Sequence, residues 1–106
     1  MLETLTAQTF SPYVGETFRL ILDGEPQVNM ELVSVTETNF PAAARGTVDP
    51  LRRMSFSLLF LEHDHPSAYL PQRIYHFEHE QLGAMDLFLV PLGPVAGGMR
   101  YEVIFN

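Results

Sequence analysis

The sequence contains no cysteine, which excludes disulfide bonds and thiolate chemistry with metals or redox partners. It also contains no lysine, and its six arginines stand against thirteen acidic residues, for a formal net charge of -7. Proteins that bind nucleic acids neutralise phosphates with clustered Lys and Arg. This composition therefore argues against a nucleic acid as the partner.

Long apolar runs are missing as well. The most apolar stretch, residues 87–99, is interrupted by Pro91 and Pro94, and it is shorter than the roughly 20 residues that a membrane helix needs. The first ten residues lack the basic stretch and the apolar run of a secretory signal. We therefore expect a soluble, cytoplasmic protein that does not bind membranes.

The chain of 106 residues has the usual length of one domain that can build its own core. We expect a single domain over residues 1–106, without internal repeats. Alternation of apolar and polar residues with a period of two indicates strands. This pattern predicts six strands, at about 18–23, 28–36, 56–61, 74–79, 85–90 and 100–105.

Other local signals complete the predicted fold. Thr6 and Gly15 are suited to begin and end one short helix at about 6–15. In the second strand the apolar phase slips between Leu32 and Val33, which indicates a β-bulge. Residues 38–55 show no period and are predicted to form a long loop. Six strands with short links predict a mainly β fold, namely a small antiparallel six-stranded barrel or sandwich with one N-terminal helix.

Histidines and carboxylates form the most distinctive polar pattern. The segment EHDH covers residues 62–65, and His76, Glu78 and His79 follow. Imidazoles and carboxylates are ligands for zinc and similar metals, and alternate residues of a strand share one face. A metal site is therefore one hypothesis, and its candidate ligands are His63, His65, His76 and Glu78. The alternative is that Asp64-His65-Pro66 forms a solvated turn, since no HExxH pattern is present.

Motifs for catalysis or cofactor binding are absent. The sequence has no G-x-S-x-G pattern and no glycine-rich phosphate loop. Neighbouring carboxylates such as Glu78 and Glu80 are explained by surface charge, because acid–base catalysis needs a pocket that shifts their pKa values. We therefore expect no enzyme and no cofactor.

Two predicted strands are apolar on both faces. In residues 56–61 and 85–90, one face can point to the core while the other stays exposed, unless the helix or the long loop covers it. An exposed apolar face of this kind is typical of an interface. The candidate interface residues are Leu59, Leu61 and Phe88, with Arg52 and Arg53 from the loop as charged contacts. The partner would be a second copy of the chain or another protein.

Several motifs of core and turn residues carry a resemblance to a known family. They are VGETF at 14–18, FSLLF at 56–60, LFLVP at 87–91 with Gly93-Pro94, and MRYE at 99–102 before the final Phe105-Asn106. With them, almost the whole chain resembles a family of short bacterial proteins that is known as a domain of unknown function. The segments 62–65 and 38–53 depart from the family pattern.

The resemblance implies a shared fold and transfers no catalytic residues. Members of this family resemble accessory proteins of phage-tail-like collar or fibre proteins, which implies a structural or adaptor role. Together with the apolar strand faces, it leads to the main hypothesis of a non-enzymatic protein-binding or assembly module. The alternative is a small metal- or ligand-binding protein that uses the region of His63, His65 and His76.

Overall fold

The computed structural model describes residues 5–22, 27–38, 55–63 and 70–105. The helical part consists of α1 (Ala7–Phe10) and a 3-10 turn (Ser11–Tyr13). No helix in these residues is both long enough and apolar enough to span a membrane. The strands are β1 (Thr17–Ile21), β2 (Val28–Thr38), β3 (Ser55–Glu62), β4 (Arg73–His79), β5 (Gly83–Val95) and β6 (Gly98–Phe105). The loop predicted between β2 and β3 therefore lies outside the described residues.

The six strands form a closed barrel in the order β1-β2-β3-β6-β5-β4, and β4 pairs with β1 to complete the ring. All of these pairings are antiparallel. The prediction of a mainly β, six-stranded antiparallel fold with one short N-terminal helix is confirmed, and of the two predicted architectures the barrel is the one observed. Closure pairs most of the backbone groups that an open sheet would leave at its edges.

Alternating side chains from every strand fill the barrel interior. In β3, Phe56, Leu58 and Phe60 are buried, whereas Leu59 and Leu61 lie on the outer face, as the period of two predicts. The buried strand residues are Phe18, Leu20, Met30, Leu32, Phe56, Leu58, Phe60, Tyr75, Phe77, His79, Leu87, Leu89, Met99, Tyr101, Val103 and Phe105. Large apolar side chains thus occupy the interior almost completely.

The N-terminal helix covers one end of the barrel. The Phe10 side chain is fully buried, and its ring centroid lies 6.0 Å from that of Phe56 and 5.7 Å from that of Phe105. Thr6 precedes the first residue of the helix, as predicted. Its backbone N–H donates to Oγ1 of Thr9 at 3.0 Å, which stabilises the start of the helix. Gly15 follows the 3-10 turn with φ of 95°, a left-handed conformation that glycine adopts without strain.

The register confirms one predicted irregularity and reveals another. The β2 register against β3 shifts between Leu32 and Ser34, where the sequence predicts a bulge. β5 extends to Val95, five residues past its predicted end, and its register against β6 shifts between Pro91 and Gly93. The pairing of β4 with β5 ends at Arg73 and Leu89, so the rest of β5 has only β6 as a neighbouring strand. Prolines are tolerated there because that side of β5 needs no N–H donor for β4.

Candidate functional site

A row of charged side chains crosses the outer faces of β1, β4 and β5. In this row, Arg19 Nη2 lies 3.8 Å from Glu78 Oε1, and the other Glu78 oxygen lies 3.4 Å from His76 Nε2. The opposite ring nitrogen, His76 Nδ1, lies 3.0 Å from Asp86 Oδ1. The strand register produces this arrangement, since Arg19 is opposite Glu78 and His76 is opposite Asp86.

The two carboxylates favour the protonated form of His76. Its hydrogen bond with Asp86, assisted by Glu78, raises the pKa of His76 above the ordinary histidine value of 6.5. An imidazolium that donates from both nitrogens has no lone pair left for a metal ion or for a substrate proton. In this arrangement His76 is therefore suited to an ionic surface contact and not to general base catalysis.

The structure separates the residues predicted to bind a metal ion. His76 and Glu78 are adjacent on the outer face of β4. His63, however, follows β3 and lies with its Nε2 2.5 Å from Oε1 of Glu31 on β2, and neither β2 nor β3 neighbours β4. His65 lies outside the described residues. Among the residues that are described, no group of three or more His, Asp or Glu side chains is placed to hold a metal ion.

The fourth histidine, His79, is buried and ties three segments together. Its Nδ1 accepts the backbone N–H of Gln81 at 3.1 Å and that of Leu82 at 3.2 Å, so Nε2 carries the proton and donates to Glu16 at 2.8 Å. Its ring centroid lies 4.4 Å from that of Phe18. Sequence reasoning placed His79 among the polar residues, although its spacing from Tyr75 and Phe77 already indicates an inward position.

Two shallow grooves lie on the barrel surface. One, of about 480 Å³, runs beside β1 and β4 and is lined by Ile21, Ile74, Arg73, His76 and Asp86, among others. The Arg73 guanidinium carbon lies 5.2 Å from the centre of the Tyr75 ring, which fixes its position at the groove. The other groove, of about 490 Å³, contains the pair formed by Glu31 and His63. Both are open surface depressions, and among their described lining residues neither brings a nucleophile next to a free base.

Apolar side chains cover the outer faces of β4, β5, β6 and β3. Ile74 and Phe88 are directly opposite each other and are 63% and 46% exposed. Ile104 on β6 is 53% exposed, and it lies two residues beyond Glu102, the last β6 residue that pairs with β5. We call the outer faces of these four consecutive strands the outer wall, which curves around the barrel from β4 to β3; its apolar members are Leu59, Leu61, Ile74, Phe88, Val90 and Ile104.

Two opposite charges lie at the centre of the outer wall. Arg100 and Glu102 occupy alternate positions of β6 and therefore share the outward face. Glu102 is half-buried between Leu59 and Val90, which are its partners on the two neighbouring strands. Among the described residues, no ion pair involves Arg100 or Glu102.

The residues predicted to form an interface divide into two groups. Leu59 and Leu61 lie on the outer face of β3 and Phe88 lies on that of β5, with β6 between these two strands. Arg52 and Arg53 lie outside the described residues. Their role at an interface stays a prediction, and Arg100 is the arginine that the described structure places on this surface.

Comparison with known proteins identifies the family without giving an activity. No curated protein and no solved structure matches this chain. The family described as "Domain of unknown function (DUF6916)" matches residues 5–105, which is nearly the whole chain. The chain therefore belongs to this domain family of unknown function, as its core and turn motifs predict.

Proposed function

We propose that the domain is a non-enzymatic protein-binding or assembly module and that the outer wall is its contact surface. The observation that carries this proposal is the exposed cross-strand pair of Ile74 and Phe88. Single exposed apolar residues are common, but large apolar side chains that lie next to each other on the surface are typical of an interaction site. Large apolar anchors of this kind supply most of the affinity of protein interfaces.

Contact through a face is favoured over the addition of a strand. The closed barrel pairs most strands on both sides, and the β5 segment from Val90 to Val95 lacks a β4 partner. That segment carries Pro91 and Pro94, which have no N–H to offer to an incoming strand. Prolines and bulges protect sheet edges in this way. The side chains of the outer wall are therefore the surface that a partner would contact.

The arrangement of the polar groups supports a binding function over catalysis. The most organised polar group consists of Arg19, Glu78, His76 and Asp86, whose side chains pair with one another on the surface. We also propose, from the family resemblance, that the biological setting is accessory to a phage-tail-like or fibre protein. The alternative of a metal-binding protein gains no support from the described histidines, because His63 and His76 have separate carboxylate partners.

Site-specific photo-crosslinking tests this proposal in the cells that naturally produce the protein. A benzophenone amino acid replaces Phe88 on the outer wall. In a matched control it replaces Val14, which is 45% exposed and lies between the 3-10 turn and β1. We expect irradiation to give a discrete covalent adduct from position 88 and none from position 14. The proposal is wrong if position 88 gives no discrete adduct, or if both positions give the same one.

A further inference from the structure

The charges of the outer wall identify the kind of partner that fits it. Arg100 and Glu102 lie two positions apart along β6, with Tyr101 between them, so their side chains leave the strand roughly 7 Å apart. A half-buried carboxylate between Leu59 and Val90 has lost part of its hydration, which costs free energy unless a cation compensates. A partner for this surface should therefore place a cation over Glu102 and an anion over Arg100.

We infer that the partner is a second copy of this chain, bound through the outer wall with the two β6 strands antiparallel. This inference rests on the proposed function. A two-fold axis that lies in the interface and passes over Tyr101, perpendicular to β6, exchanges the positions of Arg100 and Glu102. Each Arg100 then meets Glu102 of the second copy, and the ion pair forms twice, as two-fold symmetry requires.

The same symmetry also matches the apolar residues beside the charges. Leu59 is opposite Glu102 and Leu61 is opposite Arg100 in the register between β3 and β6. The rotation that pairs Arg100 with Glu102 therefore places Leu59 of one copy near Leu61 of the other. Leucines next to the ion pairs would exclude water, and reversing one charge of a pair shielded from water weakens binding more than reversing an exposed one.

The net charge of -7 does not prevent this contact. Repulsion between two acidic copies acts over long distances, and salt at physiological concentration screens charges beyond about 8 Å. At the contact itself the two signs alternate with equal spacing, so the surface is complementary to itself. An unrelated partner would need the same spacing of opposite charges.

Charge reversal on β6 tests the second copy as partner. Arg100→Glu and Glu102→Arg each place like charges opposite one another, and sedimentation measures the dimer dissociation constant of the 12.0 kDa chain. We expect a dimer for the wild type and an increase of the dissociation constant by about tenfold or more for each variant. Arg19→Glu is the control, because β1 lies three strands from β6 in either direction around the barrel; this variant should dimerise like the wild type.

Two combinations make the test specific. The double variant Arg100→Glu with Glu102→Arg is again self-complementary and should recover dimerisation. A mixture of the two single variants should form a mixed dimer, because one copy carries two anions and the other two cations at these positions. Circular dichroism checks that every variant keeps its strand structure.

A monomeric wild type at about 100 μM, or single variants that dimerise like the wild type, would overturn the inference. So would the failure of the mixture to form a mixed dimer. These results are distinguishable from failure of the proposed function. If the wild type is a monomer but position 88 crosslinks to a different protein in cells, only the second copy is excluded as partner.

Discussion

Replacing the buried His79 with phenylalanine tests the structural role that its hydrogen bonds assign to it. The variant His79→Phe keeps an aromatic ring against Phe18 but removes the acceptor for the N–H groups of Gln81 and Leu82. An unsatisfied donor in the protein interior costs about 1–3 kcal/mol. Because these backbone groups are only partly buried, we expect the low end of that range for each, and a loss of about 2–4 kcal/mol in total.

The bond between His79 and Glu16 should contribute less than the two backbone bonds. The Glu16 side chain is 48% exposed, so water can solvate it when the histidine is absent. The matched control Glu16→Gln keeps an oxygen that can accept the Nε2 proton, and we expect it to cost less than about 1 kcal/mol. The difference between the two variants therefore measures the contribution of the two Nδ1 bonds together with that of a neutral bond from Nε2.

Urea unfolding followed by circular dichroism measures both variants. For a slope of about 2 kcal/mol per molar urea, the midpoint of His79→Phe should fall by roughly 1–2 M. Amide hydrogen exchange supplies a second readout, since the amides of Gln81 and Leu82 should exchange faster in His79→Phe and stay protected in Glu16→Gln. A midpoint for His79→Phe equal to that of the wild type, or an equal loss in both variants, would refute the assignment.

Three further predictions concern the core, the strand contacts and the charged network. Tyr101→Ala removes a fully buried ring whose hydroxyl accepts the N–H of Leu70. We expect the free energy of unfolding in urea to fall by about 3–5 kcal/mol. A fall below about 1 kcal/mol would show that this face of β6 is not part of the core. Gly98→Ala should also destabilise the barrel in the same assay, because a Cβ at this position would collide with the backbone carbonyl oxygen of Glu62. Unchanged stability would contradict the close approach of Gly98 to the Glu62 backbone. In an NMR titration, Asp86→Asn should lower the raised pKa of His76, since it removes the main hydrogen-bonding anion. Because the folded pKa of His76 is raised, the stabilisation from the pair of His76 and Asp86 is fully present below the ordinary histidine pKa of 6.5 and is lost as the pH rises through the folded pKa. An unchanged pKa of His76 in Asp86→Asn would contradict the assigned cause.

Local sequence patterns predicted the strands because each pattern reflects one side of the barrel wall. The alternation around Phe56, Leu58 and Phe60 indicates which face is buried, and the slip at Leu32 and Val33 indicates the bulge. These features depend on neighbours along the chain. They can therefore be predicted without knowing which strands pair.

The arrangement of the candidate site depends on strand order, which local patterns do not contain. The sequence places His63 only thirteen residues before His76, yet β3 and β4 are not neighbours in the barrel. The cross-strand pairs of His76 with Asp86 and of Ile74 with Phe88 arise from one register that only the folded sheet defines. The extension of β5 through Pro91 likewise depends on where β4 begins.

The mass of the protein in extracts of the cells that naturally produce it tests the outer wall as a contact surface most directly. Sedimentation compares the wild type with Phe88→Asp, which places a charge on the outer wall, and with the control Val14→Asp. We expect the wild type and Val14→Asp to sediment as species heavier than the 12.0 kDa chain, and Phe88→Asp, still folded by circular dichroism, to sediment as the single chain. A wild type that sediments at 12.0 kDa, or a folded Phe88→Asp that stays in the heavier species, would contradict it.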